Sequence, residues 1–100
     1  MRNQYRLLPP AKNDIREIAR YIARDNQTAA NKMKSLILKA CQKLAENPLM
    51  GQEREDLTSR PVRFWPVHRS YMIIYNPATN PVQILRIYNN ARDTGLILPE

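Results

Sequence analysis

The residues of this sequence best suited to chemistry are arginines interleaved with aromatic rings, and they concentrate in its second half. Arg63, Arg69, Arg86 and Arg92 alternate with Phe64, Trp65, Tyr71, Tyr75 and Tyr88, five of the chain's seven aromatic side chains. Between residues 57 and 92 stand five arginines, Arg60 included, and no acid. A guanidinium offers a planar fork of donors that pairs bidentately with phosphate or carboxylate. Rings beside it can stack on unpaired bases or anchor a protein interface. Nucleic acid and protein are therefore both open as partners. Arg63, Trp65, Arg69, Arg86, Tyr88 and Arg92 are the candidates for contact with a target or partner. With no acid near them in sequence, the arginines are expected to be exposed and partner-facing. Tyr71 and Tyr75 are expected in the core or at its rim.

Other chemistry finds little support. One histidine, one cysteine and scattered acids do not make the clustered ligand set a zinc site needs, so no metal is expected. His68 sits in a tight turn with no nucleophile beside it and reads as a solvated side chain. Gly51 and Gly95 are the only glycines, too few for a phosphate-cradling loop, and no cofactor is expected. Glu53, Glu55 and Asp56 form a solvated acidic run that can pair with Arg54. No catalytic residue is assigned.

The chain's 100 residues suffice for one domain, taken as 1–100, with a single core. The apolar fraction of 43% and charged fraction of 25% are those of a globular fold. No apolar run approaches the ~20 residues of a membrane span, and the N-terminus does not read as a signal peptide. A lone Cys41 fits a reducing setting, so a cytoplasmic location away from membranes is expected. Sixteen basic against nine acidic residues give a net charge of +7, which invites an anionic partner.

The periodicity supplies the elements that must position these side chains. Residues 3–8 read as a short strand ended by Pro9 and Pro10. Ala11, Ile15, Ile18 and Ile22 then recur at steps of four, three and four, one face of a helix, with Arg16, Arg20 and Arg24 opposite. Asp14 and Glu17 place negative charge near its N-terminus. Thr28 is the expected N-cap of a second helix whose stripe is Met33, Leu36, Ile37, Ala40, Cys41 and Leu44, with Lys32, Lys39, Lys43 and Glu46 off it. That helix stops at Asn47-Pro48. Residues 48–61 read as a long loop. Strands follow at 62–67, at 71–75 (expected central) and at 82–88, joined by turns. The expectation is an α+β fold, β-α-α-β-β-β, with an antiparallel helical hairpin on a three- to four-stranded antiparallel sheet.

Four collinear stretches resemble ParE-type toxins of the ParE/RelE superfamily. They are Tyr5-Arg6-Leu7-Leu8-Pro9-Pro10-Ala11 with Asp14-Ile15, Ile18 and Tyr21-Ile22; Ala45-Glu46-Asn47-Pro48 with Gly51; Arg63, Pro66-Val67, Tyr71, Ile73 and Tyr75; and Ile84-Leu85-Arg86-Ile87 leading to Ala91-Arg92-Asp93. Asn89-Asn90 replace the His-Gly common in ParE-like chains, and asparagine tolerates the left-handed backbone that glycine would adopt there. The resemblance implies the toxin of a type II toxin–antitoxin pair that inhibits DNA gyrase, trapping it with cleaved DNA. It also implies neutralisation by a ParD-like antitoxin in a heterotetramer or larger complex, with operator DNA reached only through that antitoxin. RelE relatives instead cut mRNA on the ribosome with Lys and Arg on the sheet and a C-terminal Tyr. Arg92 falls where they carry an active-site Arg, but Met72 stands where another is expected. No Lys follows Lys43, and no Tyr follows Arg92. Metal-free phosphodiester cleavage needs a proton acceptor and donor beside the cations, so a binding toxin is expected rather than an enzyme. The alternatives are a RelE-like ribosome-dependent mRNA endoribonuclease and a small basic nucleic-acid-binding module.

Overall fold

A computed structural model of the chain describes residues 4–90. Arg92 and the segment Thr94–Glu100 therefore lie outside the described residues. The elements are β1 (Tyr5–Leu7), α1 (Pro9–Ala23), α2 (Gln27–Glu46), β2 (Arg63–Val67), β3 (Tyr71–Asn76) and β4 (Val82–Asn89).

Extended Leu8 leads into Pro9 and Pro10, whose missing N–H groups cost nothing in a first helical turn, and α1 begins there. Its buried stripe is Ala11, Asp14, Ile15 and Ile18. Asp14 thus lies inside the helix on the core side rather than serving the N-terminal dipole. The cap of α2 is Asn26, not Thr28: its side-chain oxygen accepts the Ala29 N–H at 3.0 Å, which moves the helix start forward to Gln27. The helix ends where Pro48 forbids continuation, with the Asn47 side chain donating to the Lys43 carbonyl at 3.1 Å. Leu36, expected on the buried stripe, is 48% exposed. Its position falls at the stripe's margin, turned off the sheet.

The sheet order is β1-β4-β3-β2, so β3 and β4 are central. β2, β3 and β4 form the expected antiparallel meander, with a bulge where Ile74 pairs Arg86 but Tyr75 pairs Ile84. The sheet is mixed, however, not antiparallel throughout: β1 lies parallel to β4, pairing Tyr5 with Val82 and Leu7 with Ile84. The cause is geometric. β1 has no hairpin partner to fix its direction, and after the helical crossover it fills the free edge of β4, where the Leu8 N–H reaches the Ile84 carbonyl at 3.0 Å. Three residues, Tyr5–Leu7, suffice for this pairing.

One sheet face packs on the helical hairpin through Val67, Tyr71, Ile73, Tyr75, Val82, Ile84 and Ile87 against Ala11, Ile15, Ile18, Ile37, Cys41 and Leu44. The opposite face carries a smaller cluster, Val62, Phe64, Ile74 and Tyr88, with Leu57 of the 48–61 loop folded over it. No helix among the described residues is long and apolar enough to cross a membrane.

Candidate functional site

The arginine-and-aromatic surface expected from the sequence divides into three separate settings. Strand alternation places Arg63 and Trp65 on the side of Val67, facing the helices. Arg86 and Tyr88 fall on the far side with Ile74 and Phe64. Arg69 sits in the β2–β3 turn, exposed. Arg92 lies beyond the described residues.

Arg86 is held by a forked ion pair. Its Nε donates to Asp14 Oδ2 at 2.7 Å and its Nη2 to Oδ1 at 3.1 Å. The same Oδ2 accepts the Ile87 N–H at 2.9 Å. β1 pairs β4 only as far as Ile84, and the N–H that a longer neighbour would have taken goes instead to the Asp14 carboxylate on α1. The guanidinium carbon also lies 4.9 Å from the centroid of the Tyr88 ring, within cation–π range. Tyr88 itself is buried in the cluster on the far sheet face.

Arg63 fastens the 48–61 loop. Its Nη1 donates to the Gly51 carbonyl at 2.7 Å, and its Nη2 lies 3.4 Å from Glu53 Oε1. Beside it, the fully buried Tyr75 hydroxyl donates to the Pro48 carbonyl at 2.7 Å and accepts the Gly51 N–H at 2.8 Å. Burial pushes the Tyr75 phenol up, offset in part by the Gly51 hydrogen bond and the nearby Arg63 charge. A Cβ on Gly51 would stand 2.5 Å from the Tyr75 hydroxyl and 3.0 Å from the Phe64 carbonyl. The Asn-Pro-x-x-Gly stretch is thus a clasp: proline ends the helix, and glycine lets the backbone reach the tyrosine.

The expectation of acid-free, exposed arginines is corrected at both positions. Asp14 and Glu53, both from the first half of the chain, neutralise Arg86 and Arg63. Sequence distance hid these partners. Arg54 pairs with Asp56 at 2.8 Å as expected, and that contact holds the carboxyl below its usual range.

Trp65 is half-buried against the helix-side core. The outer edge of β2 is closed on both sides of it. Phe64 exchanges both backbone hydrogen bonds with Gln52, at 2.9 and 2.8 Å, and Pro66 has no N–H to offer. Asn90 closes the sheet's other corner, its N–H meeting the Ser70 carbonyl at 2.7 Å and its side chain the Arg69 carbonyl at 3.2 Å. Asn89 stays in β4 as extended backbone. The positive φ of 59° belongs instead to His68, exposed in the neighbouring turn.

Cys41 is buried, and burial pushes its thiol up to about 12, so it is no nucleophile. Among the described residues no group of three His, Cys, Asp or Glu side chains comes together to hold a metal ion. What sequence reasoning missed is the exposed apolar surface of Tyr21, Leu36 and Leu49, which are 64%, 48% and 71% exposed. Tyr21 and Leu49 carried a signal, since each lies off the buried stripes.

A two-helix hairpin on a mixed four-stranded sheet, with a net charge of +7, makes this a small basic α+β protein. Residues 5–94 match the family described as ParE toxin of the type II toxin–antitoxin system parDE, and the chain belongs to that family. No curated protein matches it. Ten chains of solved structures match. One of them, from the chromosomal ParDE toxin–antitoxin system of P. aeruginosa, aligns with a TM-score of 0.70 at 21% identity, covering 88% of this chain and 96% of that one. At that identity the likeness shows the fold.

Proposed function

We propose that this ParE-family toxin arrests its target by binding rather than by catalysis, with DNA gyrase as the target and trapped, cleaved DNA as the consequence. The choice of binding over mRNA cleavage is supported above all by the commitment of Arg86. A nuclease using the sheet would need guanidinium groups free beside a scissile phosphate, whereas Asp14 engages the Arg86 guanidinium through two hydrogen bonds. Arg63 is likewise engaged with a carbonyl and a carboxylate. Arg69, exposed in its turn, and Arg92 then serve as contacts to target or antitoxin, alongside half-buried Trp65, whereas buried Tyr88 supports Arg86 from within.

Neutralisation falls to a ParD-like antitoxin in a complex of heterotetramer size or larger, and operator DNA is reached through that antitoxin. The closed β2 edge argues against strand addition there. Exposed Leu49, in a shallow depression with Pro48 and Met50, offers an anchor for the apolar side of an antitoxin segment. The test is to add purified toxin to gyrase relaxing and supercoiling a plasmid, and in parallel to a translation extract. Blocked supercoiling with intact mRNA supports the reading. Unaffected gyrase with cut mRNA overturns it in favour of the nuclease.

A further inference from the structure

Among the described residues, the ion pairs at Arg63 and Arg86 leave most of the exposed positive charge on the helices. The helical hairpin carries eight exposed cations (Lys12, Arg16, Arg20, Arg24, Lys32, Lys34, Lys39 and Lys43) against three exposed carboxylates, Glu17, Asp25 and Glu46. On α1, Arg16, Arg20 and Arg24 stand at successive i, i+4 positions opposite the buried stripe, about 6 Å apart along the axis. Like charges at this spacing destabilise a helix. Arg20 in the last turn and Arg24 at the C-cap do meet the negative end of the helix dipole, a role that Arg16 near the middle of the helix does not have.

On α2 the outward side bears Lys32 and Lys39, which with Thr28, Asn31, Ser35 and the exposed Leu36 line a shallow depression. The two helices pack against each other, roughly 8–10 Å between axes, and each row lies opposite the buried stripe of its own helix. We infer that these two rows bind the phosphate backbone of double-stranded DNA without regard to sequence.

The side-chain chemistry favours a duplex over the other anionic partners. Arg and Lys interspersed with Thr, Asn and Ser are the donors that contact duplex phosphates. Single strands need stacking rings, and six of the seven aromatics belong to the sheet strands, leaving Tyr21 alone on the hairpin. An acidic amphipathic helix needs a continuous apolar seam, and along this side of α2 Leu36 is the one exposed large apolar side chain. Preference for DNA over RNA rests on the gyrase reading; duplex binding itself does not, and it is measured with gyrase absent.

The experiment is titration of the full-length toxin into a labelled random-sequence DNA duplex across a salt series. Five phosphate contacts, from Arg16, Arg20, Arg24, Lys32 and Lys39, predict a log–log slope of about −4.5, or about 500-fold weaker binding between 50 and 200 mM salt. The triple variant R16Q/R20Q/R24Q should flatten the slope by about 2.7 and weaken binding at 50 mM salt at least about a hundredfold. Relief of like-charge repulsion and loss of the dipole contacts of Arg20 and Arg24 are of similar size, so the variant should melt within a few degrees of the parent, and a melting curve separates loss of fold from loss of binding. The control R6Q/R54Q/R60Q removes the same charge elsewhere and should weaken binding less than about tenfold. Absence of duplex binding at 50 mM salt overturns the inference. So does equal loss in both triple variants, or tighter binding of single-stranded DNA, duplex RNA or polyglutamate than of the DNA duplex.

Discussion

Replacing Asp14 with alanine should destabilise this fold more than its place on a solvent-bordered helix implies. The carboxylate is 8% exposed and accepts three hydrogen bonds, two from Arg86 and one from the Ile87 N–H. Removing one partner of a fully buried ion pair costs roughly 3–5 kcal/mol. Here Arg86 is 36% exposed, so water recovers part of its loss. The Ile87 N–H is buried, and orphaning it adds roughly 1–3 kcal/mol. A net cost of about 2–4 kcal/mol follows once the recovered hydration is discounted. That is a large share of the ~5–15 kcal/mol that typically holds a domain together, and it lowers Tm by roughly 10–25 °C at this chain length. Asp14→Asn keeps an oxygen for the Ile87 N–H while losing the charge, and should cost about half as much. Urea unfolding of D14A, R86A and the double variant measures the coupling, expected at roughly 1–3 kcal/mol. The reasoning fails if D14A costs under about 0.5 kcal/mol or if the two single effects simply add.

Further outcomes follow from the clasp and the buried thiol. Gly51→Ala forces a Cβ to 2.5 Å from the Tyr75 hydroxyl, so it should destabilise by about 2 kcal/mol or more in chemical denaturation. Tyr75→Phe orphans the Gly51 N–H and should cost about 1–2 kcal/mol; G51A added to Y75F should cost less than in the parent. Cys41 has its folded pKa raised from 9.0 to about 12, so above pH 9 the unfolded state binds fewer protons than the native one. Its stabilising contribution is therefore intact below pH 9 and lost as pH rises toward 12, at up to ~1.4 kcal/mol per pH unit. Melting curves across that range should flatten in Cys41→Ala, leaving the smaller alkaline loss from Tyr75, whose pKa is also raised. In the native protein the thiol should resist a disulfide reagent until the chain unfolds.

The helices and strands were legible wherever a local pattern decided them. The steps from Ala11 to Ile22 gave α1, and the apolar run from Tyr71 to Tyr75 gave a central strand. The N-cap was misjudged because Asn26 and Thr28 are both competent caps and only the path of the turn selects between them. The direction of β1 could not be read, since its partner lies across the whole hairpin and meander. The same limit hid the partners of the arginines. Asp14 and Arg86 are 72 residues apart, and Gly51 meets Tyr75 across 24. Charge counted along the chain pointed to the sheet, whereas the fold pairs Arg63 with Glu53 and Arg86 with Asp14 and leaves eight cations exposed on the hairpin. The aromatic set was legible as a set but not as a surface, because strand alternation divides it between two faces.

The central claim is that this toxin acts by holding gyrase on DNA rather than by cutting RNA. It is tested most directly by mixing toxin, gyrase, ATP and supercoiled plasmid, then denaturing and digesting the protein. The account predicts linear plasmid that accumulates with toxin and disappears when a ParD-like antitoxin is added first. Plasmid that stays circular at saturating toxin, with mRNA cleaved when the same preparation is added to translating ribosomes, would contradict it.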